Sequence, residues 1–359
     1  MRVAFLTPTI ERCGIADYSR FLLMHLRELV EVEEIPTELA HAGDSYPELG
    51  RRLSRADVAH LQYEHGFFCV NDAPSANFDA LIREVRIPKV VTLHSMPLED
   101  PRWQRHLRDE STTFMVHSRQ HVEALRARGA RNCVEAAPHP ATPRVASSVS
   151  AAAYQSAQGL DGRIVVAIFG FTKRHKGYDL AVAALPRLPQ TTTLLIAGGP
   201  QDARDGQVLA DVERRARESG LASRVRVTGY VPPSEVGAAM EISDVVLAPF
   251  NAMTSSGSLA AALAWARPVV AADLDPNIEL ADAFHCIQLF KTGDAGDLAR
   301  QITRVLSDAD LRAALISGAQ AFRRQCSYER LARTTCELYR HLLRGTRPAA
   351  PPQQTSGVA

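Results

Sequence analysis

Asp244-Val245-Val246-Leu247-Ala248-Pro249, followed at Thr254-Ser255-Ser256-Gly257-Ser258-Leu259-Ala260-Ala261-Ala262-Leu263-Ala264-Trp265-Ala266-Arg267-Pro268-Val269-Val270-Ala271, decides the fold. The first run is short and apolar and reads as a buried strand. Hydroxyl residues and a glycine then open an alanine-rich helix, and Pro268 starts the next strand. A helix N-terminus presents unpaired N–H groups and a partial positive charge. At the carboxyl end of a strand it is a place for a phosphate or diphosphate.

The same alternation runs outward through the chain. Residues 2–6, 57–61, 89–93 and 113–117 read as strands in the first half, and 163–169, 192–197, 224–228, 244–248 and 268–272 in the second. They are nearly continuous in Val, Ile and Leu, as parallel strands covered on both faces are. Residues 16–29, 78–85, 120–128, 206–219 and 295–306 carry apolar positions three and four apart and read as helices. This predicts an α/β protein of two doubly wound, Rossmann-like parallel sheets facing a cleft. Residues 141–159 are Ala/Ser-rich without a strong period and read as a linker running into the second domain. The expected domains are therefore 1–155 and 156–327, a C-terminal helix at 328–345 packing back on the first domain, and a flexible tail at 346–359.

At 359 residues with 46% hydrophobic composition, each half can bury a core. A net charge of +1 gives no electrostatic footprint for nucleic acid. The six cysteines form no CxxC pair, so neither zinc nor a disulfide framework is signalled, and scattered thiols fit the cytoplasm. Residues 1–6 lack the long apolar core of an export signal, and no run approaches the ~20 apolar residues that span a bilayer. Arg102-Trp103-Gln104-Arg105-His106-Leu107-Arg108 has the basic-plus-aromatic look of a membrane-surface helix, but a solvated face is the expected reading.

Gly170-Phe171-Thr172-Lys173-Arg174-His175-Lys176-Gly177-Tyr178-Asp179 lies between the first strand and first helix of the second half. A nucleoside triphosphatase loop needs Gly-Lys followed by Ser or Thr. Here Lys176 precedes Gly177, which disfavours that reading. A lysine at this point still neutralises a phosphate as a point charge.

With these residues the second half resembles the donor-binding domain of retaining glycosyltransferases of GT-B architecture, family 4. The resemblance rests on Phe169-Gly170 with Lys176-Gly177-Tyr178-Asp179, then Leu195-Ile196-Ala197-Gly198-Gly199, Val227-Thr228-Gly229-Tyr230-Val231, and the run from Ser243 to Ala271, in that order. The first half is similar more loosely, through Cys13-Gly14-Ile15-Ala16-Asp17-Tyr18-Ser19, residues 56–65, and Val90-Val91-Thr92-Leu93-His94.

The resemblance implies transfer of a sugar from a UDP- or GDP-sugar to an acceptor hydroxyl with retention of configuration. It implies that Lys176, with Gly14, Lys173, Ser255, Ser256, Gly257 and Ser258, holds the diphosphate. Gly229, Tyr230 and Val231 are expected at the nucleobase, and His94 at the transferred sugar as a catalytic residue with Lys176. Asp17, Tyr18, Glu64 and His65 are the acceptor candidates; His60 joins Glu64 and His65 in a polar cluster that would equally cap a helix. No metal and no cofactor is expected, the nucleotide-sugar being a substrate. The acceptor is open among saccharide, lipid-linked sugar and small natural product, and no heptad or repeat encodes an oligomeric state.

Some positions depart from the family. Met253 and Ala261 stand where two glutamates are usual, and neither can bind a hydroxyl. Phe171 lies near the place of an arginine, leaving Lys173 or Arg174 to substitute. Ala266 stands where a glycine is usual, at a cost of about 1 kcal/mol if its φ is positive. These departures keep two alternatives open: a degenerate GT-B binding or scaffold protein, and a GT-B nucleotide-sugar epimerase.

Overall fold

The computed structural model describes residues 1–42, 45–69, 74–96, 100, 103–135, 138–201 and 203–345. The chain forms two units. One takes Met1–Pro140 and the chain from Cys326 onward; the other is Ala141–Gln325.

The first unit holds β1 (Arg2–Thr7), β2 (Glu31–Pro36), β3 (Val58–Tyr63), β4 (Lys89–Leu93), β5 (Thr112–Val116) and β6 (Cys133–Glu135). They form a parallel sheet in the order β2-β1-β3-β4-β5-β6. The period of two along β1 divides the core. Val3 and Phe5 face Tyr18, Leu22 and Tyr339. Ala4 and Leu6 join Ala59, Leu61, Phe78 and Trp103 on the other side. Each fully buried Val, Leu or Phe among them contributes about 1.5–3 kcal/mol. The helix Tyr328–Leu343, capped by Ser327, supplies Leu331, Ala332 and Tyr339 to the Phe5 side.

The second unit holds β7 (Ile164–Phe169), β8 (Thr192–Ala197), β9 (Val225–Gly229), β10 (Val245–Ala248), β11 (Val269–Ala272) and β12 (Gln288–Phe290). Its parallel order is β12-β11-β10-β7-β8-β9. Strand order reverses between β7 and β10, and ligands of doubly wound sheets bind beyond the carboxyl ends at such a reversal. In the first unit the reversal falls between β1 and β3.

The structure adjusts several sequence readings. Residues 141–155 belong to the second unit, and the linker reading misses the helix Ala151–Ala157, capped by Ser150. Tyr154 on that helix is buried with Val231 and Ala238. The strands β2, β6 and β12 are additions. Trp103 is 1% exposed and stacks on Phe78, so it does not serve a membrane-surface face. Arg102, the side chain of Gln104 and the tail 346–359 lie outside the described residues. Among the described residues no helix is long and apolar enough to cross a membrane.

Candidate active site

In the second unit the site grows from the loops after β7 and β10. Gly170 leaves β7 with φ +95°, and a Cβ there would come within 2.9 Å of both Lys176 Nζ and Ser258 Cβ. A short 3-10 turn, Arg174–Lys176, follows. Gly177 links that turn to the helix Tyr178–Ala184 at φ +70°, where a Cβ would sit 1.9 Å from Pro249 O. Only glycine lets this loop lie so close to the end of β10.

The turn places Lys176 inside the protein, 6% exposed. Its ammonium donates to Phe169 O at 2.7 Å and to Ser258 Oγ at 3.4 Å. The Phe250 ring centroid lies 5.9 Å away. Burial pushes the ammonium down to about 7; Lys173 pushes the same way and Asp205 opposes. A desolvated lysine in this state favours an incoming anion.

The helix Gly257–Ala264 points its N-terminus at the same corner. Ser256 is the N-cap, its Oγ accepting from Leu259 N at 3.1 Å, and it lies 3.1 Å from Ser258 Oγ. The N–H groups of Gly257 and Ser258 find no acceptor among the described residues. Leu259 to Ala264 are all buried, which anchors the helix end. Lys176, Ser256, Gly257 and Ser258 are thus brought together. Ser255 precedes the cap and is half-buried.

Lys173 is engaged elsewhere, in a 2.9 Å ion pair with the buried Asp205. Tyr230 is 39% exposed, with its ring nearly parallel to Phe171 at 6.3 Å. Gly229 turns the chain at φ +73° just before it. The Val231 side chain is 8% exposed and taken up by the core, leaving Tyr230 as the exposed side chain of the three. Ala261 is buried and apolar. A cavity of about 400 Å³ flanks Gly177 on the side of Arg174, Asp179, Arg215 and Asn251, and neither Lys176 nor Ser258 lines it.

In the first unit, His94 follows β4, its N–H donating to Tyr63 O at 2.9 Å. The imidazole meets the Tyr18 ring edge-on at 5.0 Å. His117 and His139 lie 5.5 and 5.4 Å from the same ring. Burial, with smaller contributions from His117 and His139, holds His94 well below its ordinary pKa, so it is neutral. Tyr18 is 1% exposed and its hydroxyl has no partner among the described residues. Gly14 begins the helix Gly14–Leu26 with open space where a Cβ would stand. Asp17 forms an exposed pair with Arg20 at 2.8 Å, worth little in water.

Glu64 and His65 lie at the start of a short 3-10 turn after β3, where His65 N donates to Ser95 Oγ at 2.9 Å. His60 is separated from them, fully buried within β3. Sequence reasoning missed Gln62, Asp205, His117 and His139. His117 ended a strand and carried a usable signal; Gln62 and Asp205 sat in an apolar strand and a helical run, and His139 lies between two prolines. Among the described residues no group of three or more His, Cys, Asp or Glu is arranged to hold a metal ion.

Two parallel, doubly wound units, one with an ammonium and a helix N-terminus at its strand-order reversal, define the GT-B architecture. Residues 162–308, within the second unit, match the family described as glycosyl transferases group 1. The chain is 31% identical over 162 residues to 2-deoxystreptamine glucosyltransferase of Streptomyces kanamyceticus, covering 43% of this chain and 40% of the relative. It is 29% identical over 185 residues to phosphatidyl-myo-inositol mannosyltransferase of Mycolicibacterium smegmatis, covering 49% and 45%. The chain therefore spans less than half the length of these curated relatives. Solved structures share the fold along nearly the whole chain. Sucrose-phosphate synthase of Thermosynechococcus elongatus superposes with a TM-score of 0.76 at 18% identity, covering 96% of this chain and 100% of that one. HepE of Anabaena, in complex with UDP and glucose, gives 0.72 at 17% identity, covering 94% and 99%.

Proposed function

We propose that this protein is a hexosyltransferase that moves a sugar from a nucleoside diphosphate donor to an acceptor hydroxyl with retention. The observation that carries the reading is the ammonium of Lys176 beside Ser258 Oγ, at a helix end with two unpaired N–H groups. It is supported by relatives named as glucosyl- and mannosyltransferases and by a neighbour that binds UDP-glucose.

In this reading the sugar C1–O bond to the diphosphate breaks and charge collects on the leaving phosphate. Lys176 and the amides of Gly257 and Ser258 stabilise that charge. Fixed donors of this kind are commonly the largest catalytic contribution, about 10²–10³ in rate for one donor. The acceptor oxygen bonds to C1 on the face the phosphate leaves, and the acceptor proton passes to the leaving phosphate oxygen. We assign Tyr230 to the nucleobase, His94 to the transferred sugar, and the region of Tyr18, Glu64 and His65 to the acceptor. We assign the protein to the cytoplasm, where cysteine thiols stay reduced.

The test is incubation with a panel of UDP- and GDP-sugars and a crude acceptor extract, followed by mass spectrometry. A glycosylated product with release of UDP or GDP is expected, and the anomeric coupling of that product should match the donor. An epimerised donor without transfer would replace the reading. A second reading, a binding protein with a degenerate site, is favoured by the buried, apolar Ala261. Tight UDP binding with no transfer to any acceptor would support it.

A further inference from the structure

His94 is the end of a buried hydrogen-bond chain. Its Nε2 lies 2.7 Å from Gln62 Oε1. The amide nitrogen of Gln62 lies 3.3 Å from His60 Nε2, which Thr92 Oγ1 also meets at 2.7 Å. His60 Nδ1 bonds to the hydroxyl of Tyr339. Gln62, His60, Thr92 and Tyr339 are all 0% exposed. Adjacent strands β3 and β4 supply the first three, and the C-terminal helix supplies Tyr339.

With the Gln62 carbonyl facing His94, elementary bonding rules place the protons. A carbonyl oxygen only accepts, so His94 Nε2 carries hydrogen. An amide nitrogen only donates, so His60 Nε2 is bare and also accepts from Thr92. The His60 proton therefore sits on Nδ1 and is donated to the Tyr339 oxygen. Burial lowers the His60 pKa to about 3 and keeps His94 neutral as well, so neither ring takes a second proton near neutrality. His94 Nδ1 makes no hydrogen bond among the described residues and keeps its lone pair.

We propose that Gln62 is a positioning residue: backed by His60, Thr92 and Tyr339, it locks His94 as the Nε2–H tautomer and presents Nδ1 as an acceptor for a hydroxyl of the transferred sugar. The catalytic consequence rests on the role assigned to His94 above; the tautomer does not. One rival wiring satisfies the same atoms. Turning the Gln62 amide over and moving both ring protons gives His94 Nδ1–H and His60 Nε2–H, with no acceptor left for the sugar.

Long-range ¹H–¹⁵N correlation spectra of the full-length, ¹⁵N-histidine-labelled protein decide between them. The expected pattern is a protonated Nε2 on His94 and a protonated Nδ1 on His60, opposite tautomers in one chain. The reversed pattern, or matching tautomers, overturns the proposal. This arm uses the unaltered protein, so a poorly folding variant cannot remove it. Kinetics give the second arm. Gln62→Met should lower kcat by about 10-fold or more with KM little changed, and should add little to the loss in His94→Ala. Gln62→Glu, which keeps an acceptor facing His94, should retain more of kcat than Gln62→Met. Full kcat in Gln62→Met, with His94→Ala impaired, would overturn the positioning role. Full kcat in His94→Ala would instead remove the catalytic role of His94, while the spectra still decide the tautomer.

Discussion

Lys176 Nζ and Ser258 Oγ stand 3.4 Å apart although 82 positions separate them in the chain. One comes from the loop after β7 and the other from the helix after β10, adjacent strands at the point where the order of the second sheet reverses. The contact sets a buried ammonium against a helix N-terminus, two positive features that gain nothing from each other. A dianionic group between or beside them relieves both.

The first consequence is a pH dependence. In the free protein the Lys176 ammonium is depressed to about 7 from an ordinary 10.5. Between these values the unfolded chain holds a proton that the folded chain does not, so stability of the free protein rises with pH across that window. A bound diphosphate favours the charged form and draws the proton back. Calorimetry of UDP binding in buffers of different ionisation enthalpy should show proton uptake at about pH 8 and almost none at about pH 6. Buffer-independent heats at the higher pH would mean that Lys176 does not meet the phosphate.

Ala266 carries a second prediction. The helix Gly257–Ala264 ends with Ala266 N donating to Leu263 O at 3.0 Å and Arg267 N to Ala262 O at 3.1 Å, and Ala266 has φ +52°. This is the left-handed C-terminal cap at which glycine is relaxed and alanine strained. Ala266→Gly should stabilise the protein by about 0.5–1 kcal/mol in urea unfolding. A loss of stability would show that the backbone there is held without strain.

Tyr18 carries a third. Its hydroxyl is buried without a partner among the described residues, a state that costs about 1–3 kcal/mol relative to a paired one. Tyr18→Phe should therefore raise the unfolding midpoint of the free protein while keeping the ring contacts with His94 and Tyr328. A lowered midpoint would mean that the hydroxyl is bonded in solution and forms part of the framework.

The fold was legible where strands lie inside a sheet. Ile164–Phe169 and Val58–Tyr63 are continuous apolar runs because both faces are covered. The strands β2, β6 and β12 escaped notice because they are sheet edges that are polar or very short, whereas the fourth edge, β9, shows Val225 and Val227 alternating with Arg226 and Thr228. Glu31, Glu33 and Glu34 make β2 read as a polar loop, and β6 and β12 are three residues each, too short for a period. The meeting of Lys176 with the Ser256–Ser258 helix end was legible because these residues follow two strands directly. The chain behind His94 was not: His60 and Gln62 alternate within an otherwise apolar strand, and Tyr339 lies 279 positions from His60. Spacing along a chain does not report a hydrogen bond between a sheet and a helix so far apart in sequence.

The most direct measurement is the affinity of UDP for the wild-type protein and for Lys176→Met, by titration calorimetry at about pH 6.5, with circular dichroism to establish that both are folded. A lost charge-assisted contact of about 1.5–3 kcal/mol corresponds to binding weakened by about 10- to 150-fold, and that is the expected result. Equal affinity in the two folded proteins would contradict the convergence of the ammonium and the Ser256–Ser258 helix end on one diphosphate.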